Sequence, residues 1–411
     1  TLSTDYVVDA YGRINTTRTE TFANTNFEDT SATTSNWGDD PCAPGALTGL
    51  QDSATQPQGG NNLTVNAGQT ATITAQVSDY NDITVEKGGT LRIRATAGAA
   101  TIRARGNIRI RGVVDFKGED GWTGHYGNST SSTYYLYTTR QLGTRKGGRG
   151  LNGGGSGGDS TSNSSNPRTT GQDGSGSGGG QGGQQASLGS SSSYIYGGGG
   201  GAGAGHGQQG LPGGRATNYY DRDPYYGPQS IPGSTYGDRR MLNGVTAGSG
   251  GGGGAANGYS NTWEHKGGGG SGGAGAVTFL CDGVFELAPS GYIDGRGGQG
   301  GAAAHLAGSG GGGSGGGLRI KTGGNCTLDG VIDLRGGKGG PATFATWSDF
   351  YTQRNSFAYG TANMGGNGGG GRLAVEAPNF LAYDDVRVKG QLSIKQITTL
   401  PTSSLGSPSA P

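Results

Sequence analysis

Residues able to do covalent or metal chemistry are few in this chain, and their spacing does not suit it. The four histidines (His125, His206, His265, His305) stand at no metal-ligand spacing from one another or from the three cysteines Cys42, Cys281 and Cys326, so no zinc pattern is present. Paired carboxylates for work on a glycosidic bond would have to come from Asp221 and Asp223, or from Asp115, Asp294 and Asp333. The first pair lies in an Arg- and Tyr-rich stretch and reads as a solvated ion-pair patch. The other three share a pattern of Gly, two mostly β-branched residues, Asp, any residue, a basic residue and Gly, as in Gly291-Tyr-Ile-Asp-Gly-Arg-Gly297 and Gly330-Val-Ile-Asp-Leu-Arg-Gly336. An aspartate there reads as a turn residue bonding its own backbone. Glycine tracts that open no helix also exclude a phosphate loop. The expectation is a non-enzymatic protein with no catalytic residue, metal or cofactor.

Non-covalent recognition has stronger candidates. Tyrosine mixed with serine, asparagine and glycine is the composition of recognition loops, which combine rigid amphipathic area with adaptable hydrogen bonds. Such runs carry Tyr134, Tyr135 and Tyr137, then Tyr194 and Tyr196, then the densest set, Tyr219, Tyr220, Asp221, Tyr225 and Tyr226. Trp263, and Trp347 with Tyr351, follow in two further runs. Aromatic rings also stack on sugar faces. The alternative, that these rings fold back and supply a core, stays open. Trp122, Trp263 and Trp347 stand at loop bases and read as packing residues, whereas residues 219–226 read as contact residues.

The elements that must hold these loops are written in glycine. Of 411 residues 94 are glycine, and blocks such as GGGGSGG at 267–273 and again at 310–316 each run into a strand-like stretch, which a slack linker need not do. Upstream, Leu63-Thr-Val-Asn-Ala-Gly-Gln-Thr-Ala-Thr-Ile73 matches Ile83-Thr-Val-Glu-Lys-Gly-Gly-Thr-Leu-Arg-Ile93 position for position, and a third run begins at Ile102. A repeat of about 20 residues with alternating apolar positions fits one coil of a β-solenoid, although antiparallel hairpins would alternate similarly. Gly68 and Gly88 fall where a tight turn needs a residue without a Cβ. Apolar residues are only 30% of the chain, too few for a conventional core, and composition alone would suit disordered linkers; the recurring tract-to-strand junctions favour ordered tracts instead. Extended three-fold helices packed side by side satisfy their own N–H and C=O groups without side chains. The fold class expected is all-β: β-solenoid-like strands followed by a polyglycine II helix sandwich with long variable loops and almost no α-helix.

Composition bounds partners and compartment. Net charge is +1 and charged residues are 14%, so no global field attracts nucleic acid or an anionic membrane. No stretch approaches the ~20 apolar residues of a membrane span. Cys281 and Cys326 fall in comparable strands of adjacent units, with two buried free thiols the expected state. Thr1-Leu-Ser-Thr-Asp5 carries no signal-peptide pattern, so the chain reads either as a product that lost its initiator methionine or as a secreted product already cleaved. Five parts are expected: an extended N-terminal attachment segment over 1–60, β-solenoid coils over 61–118, a glycine-rich sandwich with aromatic loops over 119–372, closing strands over 373–400 and a mobile or docking tail over 401–411.

Taken together, Tyr80-Asn-Asp-Ile-Thr-Val-Glu-Lys-Gly-Gly-Thr-Leu-Arg-Ile93, Ile108-Arg-Ile-Arg-Gly-Val-Val-Asp115 and the glycine tracts after them resemble the glycine-rich proteins of bacteriophage tail fibres and tail tips. The alternation of glycine-rich motifs with aromatic loops over residues 61–376 is similar to the distal tail-fibre adhesin of T-even-like phages, whose polyglycine sandwich displays receptor-binding loops. This chain departs from that adhesin in its solenoid lead-in and its polar N-terminal segment. The resemblance implies a virion (tail) or extracellular protein that binds a host surface glycan or outer-membrane protein and assembles with other virion subunits or with copies of itself. A purely structural virion subunit, a bacterial extracellular filament and a glycan-degrading solenoid are the competing readings.

Overall fold

The computed structural model describes residues 61–123, 146–160, 170–184, 198–216, 228–238, 241, 244–258, 267–303, 307–341 and 363–382, with short strand segments elsewhere. These residues are all-β, with no helix among them, and most strands lie in three six-stranded parallel sheets. The first sheet holds Leu63–Val65, Ile83–Val85, Ile108–Ile110, Phe285–Leu287, Asn325–Leu328 and Asn379–Ala382. The second holds Thr70–Ile73, Thr90–Ile93, Val113–Asp115, Tyr292–Asp294, Val331–Asp333 and Arg387–Lys389. The third holds Val77–Tyr80, Ala100–Ala104, Ala276–Cys281, Gly317–Thr322, Arg372–Ala377 and Gln391–Gln396. The chain therefore visits the sheets in one fixed cyclic order, circuit after circuit.

Parallel pairing decides against the antiparallel hairpins that the alternation alone allowed. It also sets like residues on like. Leu63 aligns with Ile83, Ile108, Phe285 and Cys326. Ala71 aligns with Leu91, Val114, Ile293 and Ile332. These columns, with Ile102, Phe279, Ile320 and Val375 from the third sheet, form one buried core, against which the first-circuit Leu63 and Ala71 pack partly buried. Each such side chain contributes about 1.5–3 kcal/mol by leaving water, and a register slip of one residue would expose the whole column. Gly68 and Gly88 turn the corner between first and second sheets at φ +77° and +83°, which only glycine adopts without strain.

In the third, fourth and fifth circuits the link between second and third sheets is replaced by glycine-rich excursions, residues 116–275, 295–316 and 334–371. Successive N–H groups of such a segment point to different neighbours with a three-residue period. In 267–275, Gly268, Ser271 and Ala274 donate to Gly308, Gly311 and Ser314, while Gly269, Gly272 and Gly275 donate to Trp122, Glu119 and Phe116. Gly270 and Gly273 donate to Gly158 and Gly155. The carbonyls of the same segment accept from three further segments, through Gly148, through Gly251 and Gly254, and through Gly298 and Gly301. Six neighbours thus surround one extended strand of glycine, and no bond is made within it. Glycine is required by contact: a Cβ on Gly270 would collide with the Gly251 carbonyl oxygen, and one on Gly272 with that of Arg149.

Several sequence expectations need correction. The pairing does not stop at the expected boundary at residue 118, because Val277–Cys281 aligns with Ala100–Ala104 in one sheet. The run from Ile102 is not a third coil: Ala100–Ala104 closes the second circuit, and Ile108–Ile110 opens the third against Ile83–Val85. Alternation continues through both strands, so the break between them leaves no trace in the pattern. Cys281 ends a strand of the third sheet and Cys326 lies in the first, so their strands are not comparable; both thiols are free and buried. In the N-terminal segment the described residues are Val7–Val8 and Ile14–Asn15, paired antiparallel; the tail over 401–411 lies outside the described residues.

Candidate functional site

The glycine layer has two ends. At the sheet end it is anchored by the turn at residues 151–153, where Asn152 and Gly153 take φ +50° and +81°. The buried Asn152 amide donates to Ile93 O at 2.8 Å and accepts from Ala95 N at 2.5 Å, completing the backbone bonding of the second circuit. Turns at 176–177 and 206–208 reverse the chain at this same end.

At the other end the flanks of seven excursions are laced together. Trp122 N donates to Lys146 O at 3.2 Å, and Gln172 N to Asp159 O at 2.9 Å. Gly199 N donates to Gln184 O, Gly200 N to Gly214 O and Gly214 N to Met364 O, at 3.0, 2.8 and 2.7 Å. Gly308 N to Ala255 O and Ser309 N to Asn363 O, at 2.9 and 2.8 Å, close the set. The chain therefore leaves and re-enters the described scaffold at one common end for 124–145, 161–169, 185–197, 217–227, 259–262, 304–306 and 342–362. A three-stranded antiparallel sheet of Tyr126–Asn128, Trp263–His265 and Asn257–Gly258 belongs to the same end.

The loop candidates Tyr134, Tyr135, Tyr137, Tyr194, Tyr196, Tyr219, Tyr220, Asp221, Tyr225, Tyr226, Trp347 and Tyr351 lie outside the described residues, as does Asp223. The residues bordering their segments all belong to the laced end. Trp263 is described as a strand residue, facing Asn128 in the antiparallel pair. Trp122, expected to pack at its loop base, is 55% exposed.

The repeated aspartates end strands of the second sheet and do not sit in turns, though each bonds its own backbone as expected. Asp115, Asp294 and Asp333 stand in register on adjacent strands, and each accepts from the backbone N–H two residues on, at 3.2, 3.3 and 3.2 Å. Each also meets a guanidinium: Arg94 at 2.6 Å, Arg296 at 2.8 Å and Arg335 at 2.6 Å. Burial pushes the Asp333 carboxyl up, but the Arg335 hydrogen bonds and charge overcome it and hold the group below its usual range. A carboxylate held ionised this way cannot serve as a general acid near neutrality. Comparison of the chain with protein-family models, curated proteins and solved structures returned no match.

Sequence reasoning missed a polar cluster inside the glycine layer. His206, fully buried, sets Nδ1 2.8 Å from Gly315 O and Nε2 2.9 Å from Thr246 Oγ1, so the neutral ring donates through Nδ1. Desolvation lowers its pKa to about 4, against a smaller upward pull from the Gly315 carbonyl. Tyr236 stacks tilted on it at 5.0 Å and accepts from Ser249 Oγ at 2.8 Å. The serines of the two GGGGSGG blocks, Ser271 and Ser314, are equally buried: Ser271 Oγ bridges Gly298 O and Gly313 N, while Ser314 Oγ accepts from Ser249 N at 2.7 Å. Their recurrence at one place in both blocks was the available signal. Burial also raises the Cys281 thiol to about 11 and pushes Cys326 upward, so both behave as small apolar groups. Among the described residues no group of His, Cys, Asp and Glu could hold a metal ion, and no helix is long and apolar enough to cross a membrane.

Proposed function

We propose that this chain is a non-enzymatic phage tail-fibre or tail-tip adhesin: a β-solenoid whose circuits extend into a polyglycine II sandwich, which displays Tyr-rich loops to a host surface glycan or outer-membrane protein. One observation carries the reading. Seven separate excursions depart from a single end of a scaffold bonded on all sides, including those bearing every loop tyrosine named above. A protein using its aromatics as core would have no reason to collect them there. A rigid base limits the ordering cost to the loops, and several copies on one particle would convert weak contacts into tight attachment. The solenoid part of the reading is supported by the cyclic order of the three parallel sheets. The sandwich part is supported by the three-residue period of the glycine bonds.

The test is adsorption of the purified chain to intact bacterial cells of a host panel. Replacing residues 217–227 with a short Gly-Ser link should reduce adsorption at least about tenfold, the loss expected when an aromatic hot spot of ~1.4 kcal/mol or more is removed, with the melting temperature unchanged. Unaltered adsorption would remove these residues as the contact, and absence of adsorption together with assembly into fibres would instead favour a structural subunit. A specific feature supports that second reading: among the described residues, the first-circuit strands Leu63–Val65, Thr70–Ile73 and Val77–Tyr80 are edge strands of all three sheets at once. Such an end can receive a neighbouring subunit by strand addition.

A further inference from the structure

The basic residues of the repeated Gly-x-x-Asp-x-basic-Gly pattern carry more donors than the aspartates engage. They line a groove of about 470 Å³ on the flank of the glycine layer, away from the loop end. Backbone bonds continue the second-sheet register into the glycine segments: Gly118 N donates to Arg296 O and Gly297 N to Arg335 O, both at 3.0 Å. Lys117, Arg296 and Arg335 therefore stand abreast on three neighbouring segments, about 4.8 Å apart per step. One three-residue period further along, roughly 9 Å on, comes a second row of Asp120, Gln299 and Lys338, aligned by Gly121 N to Gln299 O and Gly300 N to Lys338 O. Gln208 and Asn367 form the opposite lip.

The groups are held ready. Arg296 and Arg335 each spend Nε and Nη2 on their aspartate, which fixes the plane of the guanidinium. Asn367 Oδ1 accepts from Gly339 N at 2.9 Å, which fixes which end of that amide is engaged and leaves its NH2 as a donor. Lys117 and Lys338 make no ion pair with a described residue.

The geometry points to a binding site for a linear acidic polysaccharide, one whose sugar rings carry carboxylates. Lys117 and Lys338 supply charges for sparsely spaced carboxylates, and Arg296 and Arg335, already paired with their aspartates, add their Nη1 donors. The amides of Gln208, Gln299 and Asn367 with the second oxygen of Asp120 suit the hydroxyls between them. Nucleic acid fits poorly. Asp294 and Asp333 neutralise the two arginines and Asp120 offsets a lysine, a weak field against a duplex carrying a charge about every 1.7 Å. This site is independent of the loops and does not rest on the adhesin reading.

The probe is polygalacturonate, titrated into the full chain by calorimetry, with dextran as the uncharged control. Binding to polygalacturonate and not dextran, weakening as salt rises, is expected. The double variant Lys117→Gln, Lys338→Gln should bind at least about tenfold more weakly with an unchanged melting temperature, since hydrogen bonds to charged groups contribute ~1.5–3 kcal/mol. The chain with residues 217–227 replaced should bind as well as the parent. Absence of binding, full binding by the double variant, loss of binding on loop replacement, or equal affinity for single-stranded DNA would each overturn the site. Failure of host-cell adsorption would not touch it.

Discussion

Gly270→Ala tests whether the glycine layer is an ordered scaffold, because two accounts of the layer predict opposite signs. Gly270 sits at the centre of the layer, donating to Gly158 O and accepting from Gly148 N, both at 2.8 Å. A methyl group there collides with the carbonyl oxygen of Gly251, which is itself bonded to Gly158 N at 2.9 Å. Backbone held on six sides has no flexible side chain to move aside. Overpacking in a rigid interior costs about 1–3 kcal/mol or more, and displacing the Gly251 carbonyl forfeits a hydrogen bond of about 1 kcal/mol. Against this, alanine restricts the unfolded chain and recovers ~0.4–1 kcal/mol. The net is a destabilisation of about 1–3.5 kcal/mol, a fall of roughly 2–7 °C in melting temperature at ~2 °C per kcal/mol. Calorimetry gives the melting temperature, and amide exchange over residues 267–275 should accelerate in the variant. Ala274→Gly is the companion: its Cβ is accommodated and fully buried, so its loss should cost only ~1 kcal/mol. In a slack linker Gly270→Ala would be neutral or stabilising, and that result would refute the packing argument.

Other perturbations address the anchor and the buried cluster. Asn152→Ala removes both amide bonds at the sheet end, strands Ala95 N–H in a buried site while Ile93 C=O keeps only Arg94 Nη1, and puts alanine at φ +50°. A loss of about 3–5 kcal/mol is expected in denaturant unfolding, and a loss below ~1 kcal/mol would remove the turn as an anchor. His206 is neutral when folded, with a pKa of about 4 against 6.5 unfolded, so between these values the unfolded chain binds the extra proton. Its contribution is complete above pH 6.5 and is lost as pH falls towards 4, about 3 kcal/mol in all. His206→Gln should flatten stability against pH across that window, and an unaltered slope would assign the acid sensitivity elsewhere.

Legibility followed the range of the forces involved. The match of residues 63–73 with 83–93 anticipated the true register, because a stacked core needs like residues on like: Leu63 on Ile83, Ile73 on Ile93. The Asp115, Asp294 and Asp333 repeat was readable for the same reason. Parallel and antiparallel pairing were not distinguishable, since both alternate apolar and polar residues. The break between Ala100–Ala104 and Ile108–Ile110 escaped notice because apolar alternation runs straight across it. Ser271 and Ser314 recur at one place in two blocks, but their partners, and the place of His206, depend on which segments lie beside one another, and no local pattern encodes that. The basic residue of the Asp repeat was visible as a letter, but a row of cations emerges only once three distant copies stand abreast.

The position of the excursions explains how such a chain tolerates them. All three glycine-rich excursions replace the same link, between the second and third sheets, whereas in the second circuit residues 94–99 make that link directly. The strands on either side keep their register regardless: Asp115 still aligns with Asp294, and Phe279 with Ile102. Closing a longer loop between fixed ends costs only ~0.6 kcal/mol per doubling of length, so an insertion is penalised mainly through unpaired backbone. Glycine removes that penalty, because each segment bonds sideways to whichever segments it lies against and needs no complementary side chains. New segments can therefore be added at the rim of the layer without redesigning the core. Segments whose flanks meet at the end opposite the sheets are the freest part of the chain to vary, and the stacked columns the least.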